Sequence, residues 1–535
     1  MEAALALQRL AALVLLALVV LPLAGVKRPA GAPPTPRPLA AFASAVGVVF
    51  ALTFLCQAWW TLLPDLSPGW RSCRRFDSRA FRLRTLSDRR GLCDRYGLPL
   101  AVNVWDHERV VRRYPLGRLA AHVTGYHHPR FGQAGAEAAC TEDLATWRRP
   151  AWDVLGRLRQ NGDTSLPPLR LTLDSRLQTV AAKALGDRRG AVVVLSPSHG
   201  DVLALVSAPS FQPDALSPAD FALGGTDRQS PLFDRAVQGL YPPGSTLKPL
   251  VVAAALAAGI GPETRHETPP EGFLADGDHL YIRDHEASEA AHNGREWAGH
   301  GVIDMRAALT CSSNVYFAWL GTRLGGEAFL NAAHTAGLDE AWPLIDRPHA
   351  AGDLTSPPGR FPSPPLTPAT LARCAIGQDE VLVTPLHMAL LTATIANRGV
   401  LMAPRLRLDQ SVGEGRVVMT EPVARATAEL MRAPVADAGG TAAGLRMAVA
   451  VAGKTGSAEN SAGAPHAWVI AFAPTDAPRL AIAVLVENGG MGSKAAVPIA
   501  RAILEAADAA GYFPHPAAPR SKPPKPKAKA KGGKP

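Results

Sequence analysis

Tyr241-Pro242-Pro243-Gly244-Ser245-Thr246-Leu247-Lys248 is the stretch from which the rest of the 535-residue chain is read. Two prolines and a glycine describe a stiff loop, and the Ala/Leu-rich run from Lys248 to Ala258 reads as a helix. Ser245 is therefore placed at a helix N-terminus, where outward-pointing backbone N–H groups favour a developing oxyanion. Residues i and i+3 share a helix face, so Lys248 can lie beside Ser245 on the next turn. A serine hydroxyl is a poor nucleophile until a base stands within hydrogen-bond reach. A lysine is such a base only when neutral, so burial or a nearby positive charge must lower its pKa. Taken alone, S-x-x-K is a common accident and Lys248 an ordinary solvated helix lysine.

Two further motifs follow in order, Ser312-Ser313-Asn314 and Lys454-Thr455-Gly456-Ser457. Ser312 is suited to relaying a proton toward a leaving amine. Asn314 can both donate to and accept from a substrate amide. Lys454 can supply the charge that depresses Lys248. With Thr455 and Ser457 it is suited to holding a substrate carboxylate, and Gly456 lets backbone approach backbone. Singly, Ser312 reads as a helix cap and Lys454 as a strand-edge charge. Together the three motifs are the signature of active-site serine penicillin-recognising enzymes. The chemistry they imply is acyl transfer on a peptide.

The length suffices for two or three domains. Part of the formal net charge of +10 sits after Pro514, where Arg520, Lys522, Lys525, Lys527, Lys529, Lys531 and Lys534 are interspersed with Pro, Ala and Gly. Such a segment cannot bury enough apolar surface to fold. It either contacts nucleic acid, anionic lipid or an acidic wall polymer, or only solubilises. None of the six cysteines forms a C-x-x-C pair, which excludes the usual metal and thioredoxin-like motifs. A disulfide among Cys73, Cys93 and Cys140 is one reading, unpaired buried cysteines the other. His127, His128, His285, His292 and His300 fit no standard metal spacing. No cofactor is expected, and no phosphate loop or nucleotide fingerprint is present.

Leu10–Val26 and Pro38–Trp60 are apolar runs, each long enough to span a bilayer. Trp59 and Trp60 fit an interfacial belt, and Lys27, Arg28 and Arg37 place the intervening loop in the cytoplasm. Everything after about Leu63 is then extracytoplasmic. A signal peptide is the competing reading of the first run. The lack of a charged n-region beyond Arg9, and the second span behind it, favour two spans.

In the outer chain, the Arg-rich stretch from Ser67 to Pro168 shows little helical pattern. Leu169–Asp174 reads as a strand and Ser175–Leu185 as a helix. Ala191–Leu195 and Val202–Val206 flank Pro197-Ser198-His199-Gly200 as a hairpin. Helices are expected over Lys248–Ala258, Ile303–Leu324, Leu366–Ala375 and Pro385–Asn397. Two antiparallel strands, Ala467–Phe472 and Leu480–Glu487, precede a final helix over Pro498–Ala510. This order argues for an α+β fold, a sheet with helices packed on it, with Lys454 on the strand before the hairpin.

The chain resembles the class B penicillin-binding proteins, monofunctional peptidoglycan D,D-transpeptidases, over roughly Arg90 to Ala510. Beyond the three motifs, the likeness rests on Leu171-Thr172-Leu173-Asp174, Asp234-Arg235-Ala236, Ile376-Gly377-Gln378, Val383-Thr384-Pro385-Leu386 and His466-Ala467-Trp468. Asp379 departs from the usual Gly, and Ser457 from the common Thr. Upstream, Arg90-Gly91 and Asp94-Arg95-Tyr96-Gly97 resemble the family's pedestal. The resemblance implies a membrane anchor over 1–65, a pedestal over 66–168, a transpeptidase domain with a helical subdomain over 169–513, and a disordered tail over 514–535. It implies Ser245, Lys248, Ser312, Asn314 and Lys454 as catalytic residues, and Thr455, Gly456 and Ser457 as substrate-binding. It further implies stem peptides as substrate, β-lactams as inhibitors, and a separate polytopic glycan polymerase of the SEDS type as partner. Nucleic acid is not expected. The region before Leu169 is too short for a glycosyltransferase domain of the bifunctional class.

Three functions compete. A transpeptidase would pass the acyl group from Ser245 to an amine. A D,D-carboxypeptidase or β-lactamase would pass it to water. A β-lactam sensor or scaffold would need no turnover. Glu327-Ala328-Phe329-Leu330-Asn331 superficially fits the E-x-x-L-N of class A β-lactamases, but it follows Asn314 too soon and continues a helical pattern. A sensor would need a cytoplasmic signalling domain, which the short loop and N-terminus do not offer, and intact motifs argue against a scaffold.

Overall fold

The computed structural model describes residues 46–47, 49–53, 89–106, 109–145, 166–223, 227, 229–276, 279, 281–346, 354–460 and 463–514. Both apolar runs near the start lie outside these residues, save a short helical piece at 46–47 and 49–53, and so does the basic tail. No helix among the described residues is long and apolar enough to cross a membrane. The Arg-rich stretch contains more sheet than its sequence advertises: β1 (Leu92–Cys93), β2 (Pro99–Asp106) and β3 (Arg109–Arg113). With β4 (Leu169–Arg170) they form a sheet in the order β3-β2-β1-β4. The strand expected over Leu169–Asp174 is thus cut to its first two residues. The alternation of β2 was hard to read because its Val104 and Trp105 are exposed. Beneath this sheet Glu137 is wholly buried. Arg89 and Arg112 donate to its carboxylate at 2.7 Å each, and their charges hold it at about 2 despite burial. Cys93 and Cys374 are buried thiols.

Helix α1 (Ser175–Leu185) follows, with Asp174 accepting from the Arg176 N–H as its cap. The hairpin β5 (Gly190–Leu195) and β6 (Val202–Ala208) comes next. After the Ser245 turn come α2 (Lys248–Ala257), β7 (His266–Thr268), α3 (His285–His292), β8 (Gly301–Ile303), α4 (Met305–Cys311), α5 (Asn314–Leu324) and α6 (Gly326–Thr335). Then follow α7 (Pro368–Ala375), α8 (Pro385–Ala396), α9 (Glu421–Ala436), β9 (Ala452–Ala458), β10 (His466–Ala473), β11 (Leu480–Val486) and α10 (Val497–Ala509).

The central sheet is antiparallel in the order β9-β10-β11-β5-β6. Its strands are apolar on both faces, because helices cover both. Side chains alternate strictly. Ala191, Val193, Leu195, Trp468, Ile470 and Phe472 join the core that contains α8. Val192, Val194, Val469, Ala471, Ile482 and Val484 join the core formed with α1 and α10. Strands buried on both faces lose the apolar/polar alternation and read as unbroken apolar runs, which is why they were legible as runs. All twelve residues of α8 are buried. A helix apolar all round belongs inside a protein. Its N-terminus is closed by a reciprocal cap: Thr384 Oγ1 accepts from the His387 N–H, and His387 Nδ1 accepts from the Thr384 N–H, both at 3.1 Å. Burial pushes the His387 imidazole down to about 4, so it stays neutral, and Nε2 donates to the Glu340 carbonyl at 2.9 Å.

One long helix was expected over Ile303–Leu324. The chain instead forms α4 and α5 with a break at Ser312-Ser313. Ser312 adopts φ 65°, a left-handed conformation unusual for a non-glycine residue. Ser313 caps α5, its hydroxyl accepting from the Tyr316 N–H at 3.1 Å. Nearby Ala and Leu favour helix throughout, but this hydroxyl offers the backbone an alternative partner and stops α4.

Candidate active site

Ser245 lies in a 3-10 turn, Gly244–Leu247, that runs directly into α2. The placement at a helix start expected from the prolines is what the structure shows. Gly244 has φ +53°, and a Cβ there would meet the Ser457 carbonyl oxygen at 2.9 Å. Its N–H donates to the Gly377 carbonyl at 2.8 Å, and a Cβ on Gly377 would meet the Gly244 carbonyl oxygen at 2.1 Å. Tyr241 and Val383 exchange two backbone hydrogen bonds at 2.9 Å. The turn is thus gripped between the Gly377 loop and β9, and glycine is needed on both sides of the grip. Asp379, which stands where the resemblance led one to expect glycine, takes φ 65° and pairs with Arg373 at 3.2 Å. Asp is one of the residues that tolerate this conformation.

Lys248 and Lys454 are both wholly buried and converge on Ser312. Lys248 Nζ donates to the Ser312 carbonyl at 2.6 Å and to Asn314 Oδ1 at 2.9 Å. It lies 3.5 Å from Ser312 Oγ and 5.3 Å from the centre of the Phe317 ring. Lys454 Nζ donates to Ser312 Oγ at 2.6 Å and to the Thr455 carbonyl at 3.0 Å. Burial brings Lys248 down to about 8, against the opposing pull of Asp284, Cys311 and Glu286. Lys454 is pushed well below its ordinary value, first by burial and then by the charge of Lys248. Burial is thus the first cause of the lowered pKa of Lys248, and the two buried ammonium groups that meet at Ser312 each disfavour the other's charge. Among the described residues no side chain hydrogen-bonds the Ser245 hydroxyl, and catalytic bonds of this kind often close only around a substrate.

Strand alternation sorts the last motif. Lys454 and Gly456 face the Ser245 turn, where a Cβ on Gly456 would lie 3.0 Å from Thr246 Cγ2 and 3.1 Å from the Pro243 carbonyl oxygen. Thr455 and Ser457 turn to the other face of this edge strand. There Thr455 Oγ1 donates to Thr441 Oγ1 at 2.8 Å, and Ser457 Oγ accepts from the Gly492 N–H at 3.4 Å. The structure thus brings Ser245, Lys248, Ser312, Asn314, Lys454 and Gly456 to one place, and Thr455 and Ser457 flank Gly456 on the same edge strand. Sequence reasoning missed Asp284, which binds the Ser313 hydroxyl from 29 residues upstream. It also missed Thr441. Neither carries a local signal.

Glu327 opens α6 and lines a groove with Leu330, Asn331, Arg360, Phe361 and Glu380, which contains none of the motif residues. In the same groove His334 and Asp339, with Glu340 beside them, bring three potential ligand atoms within 4.8 Å of one another. Ordinary side-chain contacts account for this cluster: His334 Nδ1 lies 3.0 Å from Asp339 Oδ2, and Glu340 forms an ion pair with Arg416 at 2.7 Å.

Residues 190–505 match the pattern of the penicillin binding protein transpeptidase domain. The chain is 34% identical over 439 residues to the peptidoglycan D,D-transpeptidase PbpA of Mycobacterium tuberculosis, spanning 75% of this chain and 84% of that protein. It is 30% identical over 455 residues to the peptidoglycan D,D-transpeptidase MrdA of Acinetobacter baumannii, spanning 72% and 65%. Among solved structures, the penicillin G acyl-enzyme complex of M. tuberculosis penicillin-binding protein A superposes with a TM-score of 0.67 at 32% identity, covering 78% of this chain and 99% of that one. Similarity over this much of the chain, with both lysines of the motifs converging on Ser312, settles the family: the chain belongs to the class B penicillin-binding proteins.

Proposed function

We propose that this protein is a peptidoglycan D,D-transpeptidase working through a serine acyl-enzyme and inhibited by β-lactams. The observation that carries the reading is the pair of buried lysines meeting at Ser312, one turn from Ser245. Lys248 in its neutral form takes the Ser245 proton as Oγ bonds to the carbonyl carbon of the penultimate D-Ala. The tetrahedral oxyanion lies against the N-terminal end of the α2 entry turn, where the helix dipole favours negative charge. The C–N bond to the terminal D-Ala then breaks. Ser312, bonded to Lys454 and within reach of Lys248, passes a proton to the departing amine. An acceptor amine next attacks the ester, loses a proton to the same relay, and Ser245 recovers its own. Asn314 positions the substrate amide. Lys454, Thr455, Gly456 and Ser457 hold the substrate carboxylate, whose negative charge favours the protonated form of Lys454. Treatment with benzylpenicillin tests the reading: a stable covalent adduct is expected on the parent protein.

The remaining assignments belong to the same reading. Residues 1–65 anchor the protein by two spans, 66–168 form a pedestal, and the catalytic domain over 169–513 works outside the plasma membrane. A polytopic glycan polymerase of the SEDS type supplies the strands to be cross-linked. Loop charge and resemblance support these points. A class A β-lactamase would need a carboxylate to activate water, and the groove that Glu327 lines contains none of the motif residues.

A further inference from the structure

Asp284 is wholly buried, and its carboxylate is bonded by donors 29 to 31 residues further along the chain. Its Oδ2 accepts from the Ser313 hydroxyl at 2.9 Å, and its Oδ1 accepts from the backbone N–H groups of Asn314 and of Val315, the latter at 3.1 Å. All three donors belong to the first turn of α5. A carboxylate at a helix N-terminus satisfies otherwise orphaned N–H groups and complements the helix dipole. Here the clamped turn is also the one that carries the second motif. Ser312 sits in its left-handed conformation immediately before it. Asn314, the first residue of α5, spans from Lys248 Nζ at 2.9 Å to the Arg283 carbonyl at 3.0 Å. The carbonyl that anchors Asn314 and the carboxylate that anchors its backbone thus come from adjacent residues. On the far side, His300 Nε2 approaches Asp284 Oδ2 at 3.6 Å and Glu286 Oε2 at 3.9 Å, without a hydrogen bond, while Trp297 meets its ring edge-on at 5.1 Å.

We propose that Asp284 is a positioning residue of this active site, clamping the Ser313–Val315 turn so that Ser312 and Asn314 are presented to Lys248; the inference rests on the transpeptidase reading above. Asp284 also acts by charge. Lys248 is faced by Asp284 and Glu286 from one segment, by Cys311 from α4 and by Lys454 from β9, and Asp284 favours its protonated form. Removing the Asp284 charge therefore lowers the pKa of Lys248 further, so the neutral base persists to lower pH.

The test measures second-order acylation by a fluorescent penicillin across pH for the parent, Asp284→Asn and Ser313→Ala, with thermal melts alongside. In Asp284→Asn the plateau rate should fall about tenfold or more, as for misplaced catalytic groups, and the acid limb should move to lower pH. Ser313→Ala keeps the carboxylate but removes the hydroxyl that orients it, so the rate should fall with the limb unmoved. A folded Asp284→Asn variant with the parent's plateau and limb would overturn the proposal. Should that variant not fold, Ser313→Ala decides alone, and a parent-like rate there counts against the clamp. A parent protein that takes no penicillin at all would sink the transpeptidase reading itself, a result separable from either variant's.

Discussion

One proton on Lys248 governs whether Ser245 can react. Burial brings that ammonium down to about 8, so the neutral base accumulates as pH rises through that value. The acylation rate with a β-lactam should therefore climb from pH 6 to pH 9 with its acid limb near 8, and a rate flat across that range would contradict Lys248 as the base. Lys248→Arg keeps the charge but gives no proton acceptor at neutral pH. Acylation should drop on the order of a hundredfold or more, the usual loss when a general base is removed. A near-parent rate would instead make the lysine a structural cation. The three motifs were legible at this scale because each is local: four residues state the chemistry. What sets the pKa of Lys248 was not legible, because it depends on how deeply the lysine is buried and on Asp284, which only the folded chain brings near.

Elements determine whether those residues meet. The nucleophile turn is held between β9 and the Gly377 loop, and Gly377 at φ +75° leaves no room for a Cβ beside the Gly244 carbonyl. Gly377→Ala should cost about 1–2 kcal/mol from the left-handed conformation alone. The larger effect falls on function, because the clash displaces the turn carrying Ser245. Acylation should fall at least about tenfold while the melting transition survives, and parent-like acylation would show that the grip does not matter. Strand runs such as Ala191–Leu195 and Ala467–Phe472 were readable because both faces of the sheet are covered. Helices α1, α2, α8 and α10 lie within two residues of where their sequences placed them. The break at Ser312 was not readable, since the surrounding composition favours helix and only a side-chain cap and the Asp284 clamp interrupt it. Helix α9, with Pro434 inside it, and the strands of the Arg-rich stretch were missed because their patterns are mixed.

For the whole molecule, the fate of the acyl-enzyme separates a wall-building enzyme from a β-lactam-destroying one. Glu327 lines a groove that holds none of the motif residues, so Glu327→Gln should leave deacylation unchanged. A chromogenic cephalosporin should give one stoichiometric burst and then almost no turnover, whereas sustained turnover lost in that variant would mark a hydrolase. Membrane placement is tested separately. Reporter fusions placed after Trp70 should be active only as extracytoplasmic enzymes, and cytoplasmic reporter activity there would overturn the two-span topology. The central claim, that Ser245 is the nucleophile of a penicillin-binding transpeptidase, is tested most directly by intact-mass spectrometry after benzylpenicillin treatment. The account predicts one penicilloyl group on the parent protein and none on Ser245→Ala. An adduct that persists in the alanine variant, or none on the folded parent, would contradict it.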